Sequence, residues 1–487
     1  MQEQAMSPKR LLFLGHRWLG VLLSLFFVLW FFSGMVMLYV GYPSTEHDRR
    51  IAGQPPLQAA HCCDAALPAI TPDERPRLRM LDGRLWIGRD GQWRGAATGE
   101  TMASLDAEAV RAMLGRRSDV AAGAIHRLQR IDDDQWTVSG RYDPHRPLYR
   151  VALEGGRWLH VSGTTGELLL DTTRAERAWN WVGAVSHWLY FTALRRHPGA
   201  WSELVIWLSV AGCAMALAGL WGGLKQWRWR RRKRGKSPIP YRGAAFWHHA
   251  GGLVFGGLIF SFILSGLFSM NPWGLFDLHG VSAQEHAALV GDAPPLPPEI
   301  LADGLRDTLL RTGGFQPREA EAFAFGGRWW LRLRDGEETR LAPVAGGPLR
   351  ETLPRDEVAA AADRLAMSAP ERDRAWLRQA DRYYYSSRGE RVFPVLRLRL
   401  DDAEQRWFYL DPGSGRIALK ADRARRAYRW WFNGLHSLDF PWLIHNRPLW
   451  DVVVIGVSLG GLLVAATGVL VGWRRLRTAL LRPRQRS

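Results

Sequence analysis

Residues 11–40 read LLFLGHRWLGVLLSLFFVLWFFSGMVMLYV, and Arg17 is the only charged residue among them. About 20 apolar residues in a helix suffice to cross the hydrocarbon core of a bilayer. This run is longer than that, and too long for the apolar core of a secretory signal. No small-residue cleavage site follows it, so it reads as an uncleaved membrane anchor. Three further runs have the same character: Trp201–Leu224, Phe246–Met270 and Trp450–Trp473. The interiors of these four segments lack Asp, Glu, Lys and Arg, so the midplane ion path of a transporter is not evident.

The 487-residue chain carries a formal charge of +18, which averaged over its length resembles a nucleic-acid binder. Its distribution argues otherwise. Residues 1–17 carry a net +2, residues 225–242 a net +9 and residues 472–487 a net +6, leaving the rest nearly neutral. Each basic block abuts an apolar run, which is the positive-inside pattern of an integral membrane protein. Both termini and the 225–245 loop are therefore expected in the cytoplasm. The long segments between the helices are expected outside, in the periplasm of a bacterium, with the lipid bilayer as partner and no nucleic acid.

Those outer segments contain alternating stretches that predict strands at Trp136–Ser139, Leu148–Leu153, Arg157–Val161, Trp329–Leu333, Val395–Leu400 and Arg406–Leu410. Helical patterns are expected at Asp106–Leu114 and Arg355–Ala366, giving small α+β domains with antiparallel sheets. The chain also repeats. At an offset of 249, His187 matches His436, Trp201 matches Trp450, Gly212 matches Gly461 and Gly219 matches Gly468. At an offset of 232, His16 matches His248, Gly20 matches Gly252, and Ser33-Gly34 matches Ser265-Gly266. Each half thus reads helix, outer domain, helix, with a pseudo-two-fold axis along the membrane normal.

Four of the 14 histidines fall at these repeated positions. An imidazole in or beside a bilayer is costly, and imidazole is a haem-iron ligand. A haem on the pseudo-two-fold axis takes one ligand from each half. The expected pairs are His16 with His248 at the cytoplasmic side and His187 with His436 at the periplasmic side. His249 is an alternative to His248, and His197 and His445 are second-tier candidates. Arg195, Arg196 and Arg447 sit near the outer pair, where they would neutralise haem propionates or anchor lipid headgroups. The remaining histidines, His47, His61, His126, His145, His160, His279 and His286, read as surface residues. Zinc is disfavoured because its usual Cys and carboxylate ligands are missing from these positions. The three cysteines, Cys62, Cys63 and Cys213, allow no disulfide framework, and no CxxCH motif for covalent haem occurs.

The H-R-W-L-G entry to the first helix (16–20), its closing Ser33-Gly34 and the Leu435-His436 element before the last helix resemble the PepSY-associated transmembrane family. Within it, the arrangement is similar to bacterial inner-membrane ferric-siderophore reductases. The resemblance implies four transmembrane α-helices in two parallel helix–domain–helix repeats with two periplasmic α+β PepSY-like domains. The implied order is helix 11–40, domain 41–174, interfacial helix 175–200, helix 201–224, basic loop 225–245 and helix 246–270. The second half continues with domain 271–423, interfacial helix 424–449, helix 450–473 and a basic tail 474–487. The resemblance also implies two haem b groups and reduction of a periplasmic ferric siderophore. No flavin or nicotinamide module is present, so the donor would be a quinol or a separate reductase. The alternative is a non-enzymatic, membrane-anchored PepSY protein that binds or regulates a periplasmic partner.

Overall fold

A computed structural model describes residues 7–59, 68–81, 83–89, 91–121, 123–227, 238–386 and 391–481. His61, Cys62 and Cys63 lie outside the described residues, as do most of the basic loop and the end of the basic tail. The chain forms two units. One is helical, built from the chain before Pro43, Ala178–Asp277 and the chain after Ala424; the other holds Pro43–Arg177 and Leu278–Ala424.

The helical unit contains four long apolar helices, Pro8–Met37, Pro198–Gln226, Ala244–Ser269 and Leu449–Leu481, each long and apolar enough to cross a membrane. The first packs on the fourth and second, and the third packs on the fourth and second. Their shared core holds Leu23, Phe27, Phe31, Met215, Ile259, Ile263 and Ala465. Gly461 makes room for it, since a Cβ there would stand 2.5 Å from the Phe31 ring. Small residues let helices approach where lipid supplies no hydrophobic drive.

The other unit holds 14 strands among the described residues. The first half supplies β1 (Arg77–Leu81), β2 (Arg84–Arg89), β3 (Gln92–Gly95), β4 (Ile125–Ile131), β5 (Leu148–Leu153), β6 (Trp158–Ser162) and β7 (Leu168–Thr172). The second half supplies β8 (Glu319–Phe325), β9 (Arg328–Arg334), β10 (Thr339–Pro343), β11 (Glu371–Leu377), β12 (Val395–Leu400), β13 (Trp407–Asp411) and β14 (Arg416–Ala421). Two four-stranded sheets run β4-β5-β6-β7 and β11-β12-β13-β14. Helices fall where the patterns predict them, at Ala107–Gly115, with Asp106 accepting from the Ala109 amide as cap, and at Arg355–Ala366.

Two features differ from the sequence reading. Trp136–Ser139 is not a strand. The Asp134 carboxylate accepts from the Trp136 amide and the Thr137 hydroxyl, and this local bonding holds a turn. More consequentially, the segments 41–174 and 271–423 are not separate domains at the level of their sheets. A six-stranded sheet runs β10-β9-β8-β1-β2-β3, and its centre is the antiparallel pair of β8 from the second segment with β1 from the first.

That central pair carries buried charge. Arg79 of β1 lies opposite Glu319 of β8, and Glu319 lies opposite Arg334 of β9. Arg79 Nε donates to Glu319 Oε2 at 2.6 Å and its Nη1 to Glu167 Oε1 at 2.6 Å. Arg334 Nη1 donates to Glu319 Oε1 at 2.9 Å, and His47 Nε2 lies 2.7 Å from the same oxygen. Glu319 is fully buried and Arg79 nearly so. Burial alone would raise the Glu167 carboxyl, but the Arg79 and Arg77 guanidinium groups outweigh it and hold it at about 2. Glu319 is likewise held well below the usual carboxylate range, burial being overcome by Arg79, His47 and Arg334.

Candidate functional site

The helical unit brings the four repeated histidines together in the two pairs expected. The ring centroids of His16 and His248 are 6.2 Å apart, and those of His187 and His436 are 6.1 Å apart. A metal about 2.0–2.1 Å from each of two opposed imidazole nitrogens, each about 1.1 Å in front of its ring centre, sets the centroids about 6.3 Å apart.

The second nitrogen of each ring is occupied. His16 Nδ1 bonds the Met215 carbonyl at 3.0 Å, and His248 Nδ1 bonds the Val464 carbonyl at 3.0 Å. His187 Nδ1 bonds the Trp30 carbonyl at 3.1 Å and the Ser33 hydroxyl at 3.1 Å. His436 Nδ1 bonds the Phe262 carbonyl at 3.1 Å and the Ser265 hydroxyl at 3.2 Å. A carbonyl oxygen only accepts, so each Nδ1 carries the proton and each Nε2 keeps its lone pair. This is the outer-shell bond that fixes the tautomer of a metal-binding histidine.

Each ring also rests on a glycine. A Cβ on Gly219 would stand 2.6 Å from His16 Cε1, and one on Gly468 would stand 3.3 Å from His248 Cε1. At Gly34 and Gly266 the distances to His187 and His436 Cε1 would be 3.3 and 3.4 Å. Local backbone sets the second pair. A π-helical turn, Trp181–Val185 or Trp430–Gly434, precedes each histidine. Two residues beyond each histidine, Leu189 and Leu438 take φ of 51° and 52°, a strained conformation for leucine. Trp201 Nε1 bonds the Trp188 carbonyl at 2.8 Å, and Trp450 Nε1 bonds the Ser437 carbonyl at 2.9 Å, tying down the residue after each histidine. π-turns and strained residues concentrate where a side chain must be aimed.

The first pair borders a cavity of about 670 Å³ within the helical unit. This volume lies inside the range of small-molecule and cofactor sites, about 300–1,000 Å³. Among the described residues no group of three or more His, Cys, Asp or Glu is placed to share a metal ion. A bare zinc ion would find two protein ligands at each pair, where structural zinc takes four. A metal already held by four nitrogens of a planar macrocycle needs only two ligands, one on each face. The donor set, its tautomers and the cavity therefore fit a haem at His16–His248, and the donor set and tautomers fit one at His187–His436.

The secondary candidates are placed differently, although His249 lines the same cavity as His16 and His248. The His249 ring packs on Tyr241 at 5.3 Å, while His248 faces His16. His197 and His445 are exposed, as is Arg196. Arg195 stacks over Tyr190 and Trp201, and Arg447 pairs with Asp451 at 3.7 Å and stacks over Trp450. His160, expected at the surface, is fully buried, with Nε2 2.8 Å from Asp134 Oδ2. Sequence reasoning missed the carbonyls of Met215, Val464, Trp30 and Phe262. It gave Gly219 and Gly468 only as a repeat match and did not place them against His16 and His248. Their registration with the histidine repeats was the available signal. Comparison with known proteins gives no matching family model, no matching curated protein and no matching solved structure.

Proposed function

We propose that this protein is a membrane electron carrier holding two b-type haems, one between His16 and His248 and one between His187 and His436. It delivers electrons to an iron(III) chelate of the siderophore class. The observation that carries this reading is the pair of histidine pairs at 6.2 and 6.1 Å, every ring with its Nδ1 committed to a carbonyl. Haem held there supplies a one-electron Fe(III)/Fe(II) couple whose potential follows its ligands and burial. The basic residues beside the N-terminal ends of the first and third long helices support a cytoplasmic location for that end. The His187–His436 pair is then the periplasmic one. Each electron reduces one chelated iron(III) to the more weakly held iron(II). The donor is a separate molecule, a quinol or a reductase.

The residues between the pairs bear on the electron path. Ser33 lies 17 residues beyond His16 on the first helix, a rise of about 25 Å. Aromatic rings occupy part of that interval. Phe31, in the cavity wall, packs on Phe262 at 6.3 Å, and Phe262 packs on His436 at 6.1 Å. Phe27 stacks on Trp30 at 5.8 Å, and the Trp30 carbonyl holds His187.

The purified protein is expected to be red, with a reduced-minus-oxidised spectrum of low-spin b-type haem and about two haems per chain. A preparation that stays colourless when haem is supplied during expression would overturn the proposal in favour of a partner-binding role. Gly219→Ala should displace His16 and deplete the haem at that pair more strongly than Gly468→Ala does at His248. Haem content and the low-spin signal measure this, and equal effects would contradict the seating described.

A further inference from the structure

The cavity beside His16 and His248 has an apolar end, at Phe27, Phe31 and Ile259, and a polar end. Lys9, Arg10 and Arg17 of the first long helix and Arg475 of the fourth line the polar end, and among the described residues no carboxylate lines the cavity. The internal repeat is broken here. Offset 232 relates Arg17 to His249, and offset 249 relates Gln226 to Arg475. Gln226 and His249 belong to the second and third helices and are partners of Tyr241. The Tyr241 hydroxyl donates to Gln226 Oε1, and its ring packs on His249. Among the described residues lining the cavity, the Lys and Arg side chains thus belong to the first and fourth helices, while the second and third contribute Gln226 and His249.

We propose that Arg17 and Arg475 bind the carboxylates of the group held between His16 and His248, drawing its anionic edge to the seam between the first and fourth helices. This rests on the haem reading and deepens it. A macrocycle bearing two propionates brings two negative charges against an apolar bundle, where an unpaired carboxylate is expensive. Guanidinium groups meet carboxylates with paired, charge-assisted hydrogen bonds. Arg17 is steadied by the Trp18 ring, 5.4 Å from its guanidinium carbon. The cations thereby select an acidic porphyrin over a neutral one.

The test uses the full chain with His187→Ala and His436→Ala, so that one pair remains, in nanodiscs of phosphatidylcholine alone. Haem-free protein is titrated with haemin and with haemin dimethyl ester, whose carboxylates are masked, and binding is read from the absorption spectrum. Arg17→Gln with Arg475→Gln should weaken haemin about tenfold and leave the ester unchanged. Arg17→Lys with Arg475→Lys should restore most of the haemin affinity. Unchanged haemin affinity in the Gln variant overturns the proposal, as does an equal loss for both ligands. A loss seen only when anionic lipid is added also overturns it, assigning the arginines to headgroups. If haemin uptake does not depend on His16, the haem reading falls too; if it does and the arginines have no effect, this proposal alone falls.

Discussion

On the proposed reading, His16→Ala and His248→Ala should each reduce the haem content from about two per chain to about one, and both should lose the same haem. His187→Ala and His436→Ala should lose the other. The pairing requires this, because each iron would take one ligand from each half of the chain. His249 is expected not to replace His248, because its ring packs on Tyr241 while His248 is the ring opposite His16. The low-spin electron paramagnetic signals of the two sites should disappear independently, one with either variant of the first pair and one with either variant of the second. A His16 variant that removes the same signal as a His187 variant would refute the pairing. Full retention of both signals in any of the four would refute ligation by that residue.

Glu319→Ala should cost the sheet-built unit about 3–5 kcal/mol, because it removes one member of a buried ionic cluster and leaves Arg79 and Arg334 each short of one carboxylate. Arg79 and Arg334 both donate to Glu319, and neither can regain water where it stands. Glu404→Ala, at an exposed carboxylate, is the control and should change stability by less than about 0.5 kcal/mol. Urea unfolding followed by hydrogen exchange in β1 and β8 gives the measurement. A loss below about 1 kcal/mol would mean that the cluster contributes no more than surface pairs do. The same cluster sets an acid limit. Glu167 has its carboxyl lowered from 4.5 to about 2, so its contribution is complete above about 4.5 and is lost as pH falls toward about 2. Glu167→Gln should flatten that part of the stability profile.

The four long helices and the histidine pairs were legible because both are written in one dimension. Helix length follows from an unbroken apolar run, and the pairs follow from two fixed offsets along the chain. What stayed hidden depends on contacts between distant segments. The carbonyls that hold the imidazoles belong to other helices, and a backbone carbonyl has no sequence signature. The β1–β8 pair was hidden for the same reason. Charged side chains are rarely fully buried unless paired, yet Arg79, Glu319 and Arg334 are buried here because each strand supplies the counter-charge of the next. Trp136–Ser139 alternates like a strand, but the carboxylate of Asp134 competes for its amide and hydroxyl donors, and the local turn wins.

The pairing of β1 with β8 also dictates an order of events during synthesis. Arg79 and Glu319 are 240 residues apart. At about 5–20 residues per second a ribosome needs about 12–50 s to travel from one to the other. Throughout that interval the first three strands exist with one edge unclosed and a guanidinium awaiting its carboxylate. An open edge of this kind is where chains join one another wrongly. A transcript truncated before β8 therefore yields a nascent half that cannot finish its own fold, and whatever shields the β1 edge during those seconds governs how much protein reaches its final state.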